Sequence, residues 1–249
     1  MADRGFCQWA LLKWNVILGC LAASNGCTRC WAALESHRHQ CSGSTIHNGL
    51  TKWSEKGNMG WTFTGKAVFR EDMLNRPKLH KSPLTIWIGP ASDLFYKEFT
   101  LDQIAQVYAV VAECPQHDFF VLTKRVKRQL QLYTDGSLKT AVEEKLGRSI
   151  AWPLRNVRDG ISIEDNKMVK QRMEHFMELP SHFKFLSAQP VLEELELGSY
   201  LAEDKRIKWA LIGNEAGPLA RKTDPRDIIG VKKQLDEARI GNMTMCYPL

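Results

Sequence analysis

The chain has 249 residues, of which 44% are hydrophobic and 25% charged, and this is enough to bury the core of one large domain. Its formal net charge of +6 and its pI near 8.9 suit a polyanionic partner and, equally, an ordinary basic surface. The apolar stretch over residues 6–23 contains Lys13 and Asn15 and is too short to span a bilayer. These features exclude a membrane-spanning or low-complexity chain and predict a soluble cytoplasmic protein.

Short apolar runs alternate with helical segments along the chain, which is the pattern of a parallel α/β protein. Strands are predicted over residues 14–18, 67–70, 84–89, 119–123, 160–163, 183–187, 208–213 and 243–247. Helices are predicted to begin after Thr100 and to cover residues 166–179 and 225–238. Residues 37–65 show no clear period and are predicted to form a long loop. Eight strands are the number that closes a (β/α)8 barrel in a single domain over residues 1–249.

Polar residues follow the carboxyl ends of six predicted strands. The first of these strands runs into a cysteine-containing loop, and the others run into residues 90–95, 123–125, 162–165, 188–190 and 213–217. In a parallel barrel the carboxyl ends of the strands meet at one rim, where active sites are assembled. The sequence therefore predicts one active face at this rim.

The cysteine-containing loop carries three thiols, Cys20, Cys27 and Cys30, in the spacing C-x6-C-x2-C. Three thiolates on one short loop can hold a [4Fe–4S] cluster and leave one iron without a protein ligand. Such an iron can bind and cleave a small molecule, so the spacing favours an enzyme. Three further cysteines are predicted to be ordinary buried thiols: Cys7, Cys114 and Cys246.

Three neighbours of these thiols are predicted to shape the cluster site. Gly19 and Gly26 precede the first two cysteines and would let the backbone wrap closely around sulfide. Trp31 follows the third cysteine and would cover one side of the cluster, which keeps solvent away and tunes the potential.

A structural zinc site is the main alternative for the same cysteines. His37, His39 or Cys41 would complete four tetrahedral ligands, and C-x2-C is ordinary zinc spacing. The second half of a typical zinc module lacks its paired spacing here, and a barrel of this size does not need a metal to fold. Thiols without any metal are a third reading of the same pattern.

Successive segments of the chain resemble the motifs of a known family. These segments are Trp14-Asn15, Gly19-Cys20, Cys27-x-x-Cys30-Trp31-Ala32, Ser92-Asp93-Leu94-Phe95, Phe120-Val121-Leu122-Thr123-Lys124-Arg125 and Gly160-Ile161-Ser162-Ile163-Glu164-Asp165. In this order and spacing, over about residues 14–238, the chain resembles the phage-associated radical-SAM-like three-cysteine family.

The resemblance implies a radical-SAM-type (β/α) barrel, full or partial, with the cluster loop after the first strand. It implies a [4Fe–4S] cluster held by Cys20, Cys27 and Cys30, S-adenosyl-L-methionine as cofactor, a reductant protein as partner, and the host cytoplasm as the location. Some phage enzymes of this type remodel hypermodified thymidines. The most specific activity implied is therefore an isomerase that converts N-linked glycyl-thymidine in phage DNA into the C-linked form. The alternatives are a radical SAM enzyme acting on tRNA or peptide, and a non-catalytic zinc-stabilised nucleic-acid-binding module.

The chain departs from this family on the predicted active rim. Ser187-Ala188-Gln189-Pro190 stands where the family usually has Ser-x-Glu-Pro, so one carboxylate is lost. Gly213-Asn214-Glu215-Ala216-Gly217 stands where the family usually has Gly-Gly-Glu-Ser-Gly, and the ending over residues 243–249 also differs. The rim is where a substrate is selected, so these changes bear on which substrate is used.

Two segments of the rim are candidate contacts for the cofactor or the substrate. Ser92 and Asp93 are predicted to hydrogen-bond the nucleoside part of the cofactor, or else to form a turn and helix cap. Lys124 and its neighbour Arg125 are predicted to meet a carboxylate or a DNA phosphate. A solvated helix start is the alternative for this pair.

The later rim segments supply further candidates. Ser162 and Glu164 are predicted to line the pocket with Asp165, although a helix cap is favoured for Asp165. Glu215 is predicted to contact cofactor or substrate, with stabilisation of its own loop as the alternative.

A base within a duplex is shielded by stacking, so an enzyme that acts on DNA must flip it out or meet a single strand. Aromatic and basic residues in the predicted long loop could supply a stacking and phosphate-binding surface: Lys52, Trp53, Lys56, Trp61, Phe63 and Lys66. Tryptophans in such a loop more often pack over the end of a barrel, and this reading is favoured.

Overall fold

The computed structural model describes residues 10–55, 60–217 and 219–245. Within these ranges the strands are β1 (Leu12–Trp14), β2 (Ile17–Leu18), β3 (Thr51–Ser54), β4 (Gly60–Phe63), β5 (Val68–Phe69), β6 (Thr85–Ile88), β7 (Asp118–Thr123), β8 (Val157–Ser162), β9 (Lys184–Ala188), β10 (Ile207–Gly213) and β11 (Gly241–Met245). The α-helices are α1 (Trp31–Cys41), α2 (Leu101–Glu113), α3 (Val126–Thr134), α4 (Ser137–Leu146), α5 (Asn166–Glu178), α6 (Gly198–Glu203) and α7 (Pro225–Glu237).

Seven of these strands form one parallel sheet in the order β1-β6-β7-β8-β9-β10-β11. Within the described ranges β1 does not pair with β11, so the sheet is an open half-barrel. The predicted α/β class with a partial barrel is therefore confirmed, and the closed eight-stranded barrel is wrong.

The second predicted strand, over residues 67–70, lies outside the main sheet. The chain leaves the main sheet after Trp14, and Ile17–Leu18 pairs in antiparallel fashion with Val68–Phe69. The first predicted strand is thereby divided into β1 and β2. The last predicted strand is β11, and the two residues predicted beyond Met245 lie outside the described part of the chain.

One face of the sheet packs against helices and forms the main core. Ile86, Phe119, Val121 and Leu186 are almost completely buried there. The three predicted helices are confirmed as α2, α5 and α7. Each helix starts at a capping side chain, which satisfies free amides of the first turn and contributes about 1 kcal/mol: Thr100, Asp165 and Asp224.

The opposite face of the sheet carries an aromatic cluster and, nearer the carboxyl ends of the strands, a cavity. The rings of Phe120, Phe185 and Trp209 lie with their centroids 5.3 to 5.9 Å apart. Phe185 needs the space beside Gly160, because a Cβ on Gly160 would lie 2.2 Å from the ring. The cluster therefore closes the lower part of this face.

Residues 37–65 are not the long irregular loop that was predicted. Helix α1 continues to Cys41, and β3 and β4 form a hairpin, of which residues 56–59 lie outside the described part. The helix carries a weak apolar signal because its buried side chains are only Ala32, Ala33 and Ser36. The hairpin packs on α1, where Trp61 stacks on His37.

Two further expectations concern burial and membranes. Cys114 is buried as predicted, whereas Cys7 and Cys246 lie outside the described residues. Among the helices that the structure describes, none has the length and apolar character needed to cross a bilayer.

Candidate functional site

A cavity of about 170 Å³ lies at the carboxyl ends of β6 to β10. A buried water occupies only about 10–15 Å³ by this measure, so the cavity can hold a small molecule. Its wall includes all three cysteines of the loop and residues that follow or end the five strands: Ser92, Asp93, Lys124, Arg125, Ser162, Ser187, Gln189, Asn214 and Glu215. The rim segments that were predicted to converge do meet here.

The first cysteine is held in place by a close approach of two backbone segments. Gly19 has φ +79°, and a Cβ at this position would lie 2.1 Å from the carbonyl oxygen of Lys66. The hydroxyl of Ser92 donates to the carbonyl of Gly19, and the amide of Gly65 donates to the carbonyl of Cys20 at 3.0 Å. Gly19 is therefore required by its protein neighbours, a reason that differs from the predicted contact with sulfide.

The other two cysteines lie at helix termini, Cys27 at the end of a 3-10 turn and Cys30 at the start of α1. Cys27 ends a 3-10 turn that starts at Asn25, and its Sγ accepts a hydrogen bond from the amide of Ala23 at 3.4 Å. Cys30 is the residue at which α1 is capped, so its thiol lies beside the free amides of the first turn. Trp31, the first residue of α1, packs against Trp87 with ring centroids 6.2 Å apart, and both residues line the cavity.

Burial keeps two of these thiols protonated when no metal is bound. Burial raises the pKa of Cys20 to about 12, although Arg125 opposes it. Burial also raises the pKa of Cys30 to about 11, although the amides of Ala33 and Ala32 favour the thiolate. A free thiolate at Cys20 or Cys30 is thus disfavoured at neutral pH, whereas coordination to a metal would remove these two protons outright.

The residues proposed as the fourth ligand of a zinc ion do not border the cavity. The Nε2 atom of His37 lies 3.4 Å from the Sγ of Cys41, and His39 stacks on His47. A single zinc ion brings its sulfur ligands to about 4 Å from one another. No group of three Cys, His, Asp or Glu side chains in the described ranges is arranged for one ion. The same holds for Cys20, Cys27 and Cys30, so this geometry does not separate a zinc ion from a cluster, and both stay predictions.

Asp93 is occupied by protein donors on both oxygens. Its Oδ1 accepts from the hydroxyl of Thr123 at 2.7 Å and from the amide of Phe95 at 3.0 Å. Its Oδ2 accepts from the amide of Lys124 at 3.0 Å and from Nη1 of Arg125 at 2.8 Å. The turn predicted as the alternative for Asp93 is present, and the carboxylate also orients Arg125 at the cavity wall.

Glu164 does not line the cavity, in contrast to the prediction. Its side chain is completely buried and accepts from the hydroxyl of Ser24, from Nζ of Lys124 at 3.0 Å and from Nη1 of Arg172 at 2.9 Å. Burial alone would raise the pKa of Glu164, but Lys124 and Arg172 outweigh burial and lower it. A Cβ on Gly26 would lie 2.8 Å from the carboxyl carbon of Glu164, so the cysteine loop rests directly on this carboxylate.

The remaining acidic candidates are also tied to the protein. Asp165 accepts from the amide of Met168 at 2.8 Å, which confirms the helix cap. Glu215 accepts from Nε of Arg221 at 2.8 Å, and Nη1 of Arg221 donates to Oδ1 of Asn25 at 2.9 Å. Glu215 borders the cavity but also links its own loop to the cysteine loop, as the alternative reading held.

Sequence reasoning missed four side chains that build this site: Ser24, Arg29, Arg172 and Arg221. One of them left a signal. Arg172 falls on the apolar face of α5 between Val169 and Phe176, and a cation on such a face implies a buried carboxylate partner. The other three depend on contacts between distant segments.

The hairpin formed by β3 and β4 has both packed and exposed side chains. Phe63 is buried and lines the cavity, and Trp61 packs edge-to-face against Trp53. Trp53 and Lys52 are exposed, Nζ of Lys66 donates to a backbone carbonyl at 3.1 Å, and Lys56 lies outside the described residues. The favoured reading, packing over one end of the sheet, describes most of this hairpin.

Comparison with known proteins gives one family match. The family model described as "Protein of unknown function (DUF5131)" matches residues 5–243. No curated protein and no solved structure matches the chain significantly.

Proposed function

The chain belongs to the DUF5131 family of proteins of unknown function, and we propose that it is a radical S-adenosylmethionine enzyme with a [4Fe–4S] cluster. The observation that supports this most is that Cys20, Cys27 and Cys30 border one cavity at the carboxyl ends of parallel strands. When bound, such a cluster would supply the electron that cleaves S-adenosylmethionine to start radical chemistry.

The residues of the site fit this cluster by their chemistry. Three thiols are the only side chains on the loop that are soft donors, and soft donors select iron–sulfur clusters. The amides at the start of α1 lie beside Cys30 and favour its thiolate form. Trp31, Trp87 and the aromatic cluster below the cavity would exclude water from the reacting groups.

The substrate that we propose is a nucleobase in phage DNA, most specifically N-linked glycyl-thymidine, which the enzyme would isomerise to the C-linked form. The positive net charge of the chain and the exposed pair Lys52 and Trp53 near the cavity suit a nucleic acid. The base would have to leave its stack to reach the cavity. The specific reaction rests on the family resemblance.

Anaerobic reconstitution with iron and sulfide tests the cluster. We expect a brown protein with about four iron atoms per chain and broad visible absorbance, and cleavage of S-adenosylmethionine after reduction. Replacing Cys20, Cys27 or Cys30 with alanine should abolish both, whereas Cys114→Ala, at a buried cysteine away from the cavity, should abolish neither. A colourless protein that holds one zinc would reject the proposal.

Mass spectrometry of nucleosides tests the substrate. DNA from phage grown with the protein should contain a modified thymidine that is missing when the gene is disrupted. If the protein carries the cluster but the nucleosides of the phage DNA are unchanged, the DNA substrate is rejected and tRNA or peptide is left as the target.

A further inference from the structure

Two donor atoms in the cavity wall have no hydrogen-bond partner although they are shielded from water. Among the buried side-chain atoms of the described residues that lack a partner, the two nitrogens are Nε of Arg29 and Nε2 of Gln189. Both residues line the cavity. A buried donor without an acceptor is costly, so both atoms point to a ligand that carries acceptors.

The amide of Gln189 can turn to present either a donor or an acceptor, but the guanidinium of Arg29 carries donors only. Nη1 of Arg29 donates to the carbonyl of Leu219 at 2.5 Å. In the part of the chain that the structure describes, the other edge of this guanidinium, formed by Nε and Nη2, contacts no acceptor. A ligand group that binds beside this edge of Arg29 must therefore be a hydrogen-bond acceptor.

Arg29 also carries a charge that its surroundings do not balance. The two other cations of the cavity wall each face a carboxylate, since Lys124 pairs with Glu164 at 3.0 Å and Arg125 pairs with Asp93 at 2.8 Å. Arg29 forms no ion pair with any described residue. A free guanidinium edge matches the two oxygens of a carboxylate or phosphate in a bidentate manner.

We infer that Arg29 forms an oxyanion subsite of the cavity, in which its Nε–Nη2 edge binds a carboxylate or phosphate group of the ligand. The oxyanion has two possible sources, the methionyl carboxylate of S-adenosylmethionine and a phosphate of the nucleic-acid substrate. This inference rests on the proposed function for the identity of these sources. The unpartnered edge itself does not depend on a cluster.

The experiment is a set of binding cycles measured by anaerobic titration calorimetry. One pair of ligands is S-adenosylmethionine and its decarboxylated analogue, and the other pair is thymidine 5′-monophosphate and thymidine. Each pair is titrated into wild-type protein, Arg29→Gln and Arg29→Lys, after the iron content and thermal unfolding of each sample have been measured. Loss of iron chelation by the decarboxylated analogue is common to all variants, so the comparison of ratios removes it.

The preference for the ligand that keeps its oxyanion should fall about ten- to a hundred-fold in Arg29→Gln for one of the two pairs, as expected for a charge-assisted hydrogen bond. Arg29→Lys keeps the charge but not the planar edge, so its preference should lie between those of the wild type and Arg29→Gln. The matched control is Arg38→Gln, because Arg38 pairs with Glu35 on the surface of α1, and it should keep the wild-type ratios.

Unchanged ratios for both pairs in folded Arg29 variants would overturn the inference, and so would a wild-type protein that binds neither ligand pair. If Arg29→Gln does not fold, the ratios of Arg29→Lys decide in the same way. Protein that takes up no iron would instead defeat the proposed function, and the nucleotide pair would still test Arg29.

Discussion

Replacing Glu164 with glutamine tests how the cysteine loop is held in place. The substitution keeps the shape of the side chain but removes the charge that faces Lys124 and Arg172. Both cations are largely buried, with side chains 18% and 6% exposed. Removing one partner of a buried ion pair costs about 3–5 kcal/mol, because the remaining charge is left without compensation.

This cost is a large part of the stability of a typical domain, which is about 5–15 kcal/mol. We therefore expect Glu164→Gln to lower the free energy of unfolding by about 3–5 kcal/mol in urea titrations followed by circular dichroism. The substitution also weakens the hydrogen bond from Ser24 to this side chain, and Oγ of Ser24 lies 3.9 Å from Sγ of Cys27. Iron uptake should fall as well.

The matched control is Glu35→Gln on α1, where the carboxylate pairs with Arg38 at the surface. Loss of an exposed ion pair changes stability by only about 0–1 kcal/mol. If Glu164→Gln is as stable as this control and takes up iron as the wild type does, the anchoring role of Glu164 is refuted.

Three further predictions concern stability. Burial raises the pKa of Asp159 to about 6 from 3.8, so the folded state holds this proton more tightly than the unfolded state. The contribution of Asp159 to stability is therefore fully present below about pH 4 and is lost, by about 3 kcal/mol, as pH rises through 6. Urea unfolding of the wild type and of Asp159→Asn across this range should show this component of the pH dependence in the wild type only, and equal pH profiles would contradict it. Gly19→Ala should lower the melting temperature and cost at least about 2 kcal/mol, because of its positive φ and the carbonyl of Lys66; a wild-type melting curve would contradict this. Gly160→Ala should lower the free energy of unfolding by about 1–3 kcal/mol, because the new Cβ displaces the ring of Phe185. Adding Phe185→Leu to this variant should restore part of the loss, whereas a double variant whose loss equals the sum of the two single losses would contradict the clash.

The buried strands were predictable because each combines a run of apolar residues with a clear end. Residues 84–89 and 119–123 are long enough to be read as strands, and they pair side by side as β6 and β7. The openness of the barrel was not predictable, since it depends on whether the two edge strands meet. The segment over residues 67–70 contains an ordinary strand signal, and only its pairing with Ile17–Leu18 removes it from the main sheet.

The positions of the candidate residues were predictable to the level of the rim, but their partners were not. The order of strands alone brings the backbones of Asp93, Glu164 and Glu215 to one end of the sheet, independently of the contacts that their side chains make. Whether a carboxylate is free depends on cations from distant segments, such as Arg172 on α5 and Arg221 beyond β10. Helix α1 was overlooked for a local reason, because its buried face is made of alanine and serine and gives no strong period.

The central claim is that three thiols hold a cluster with one open iron at this cavity. Electron paramagnetic resonance of the reduced, reconstituted protein, recorded with and without S-adenosylmethionine, tests it most directly. We predict the signal of a [4Fe–4S] cluster that changes when S-adenosylmethionine is added. A signal that stays the same on addition, or no cluster signal in a folded protein with intact Cys20, Cys27 and Cys30, would contradict the claim.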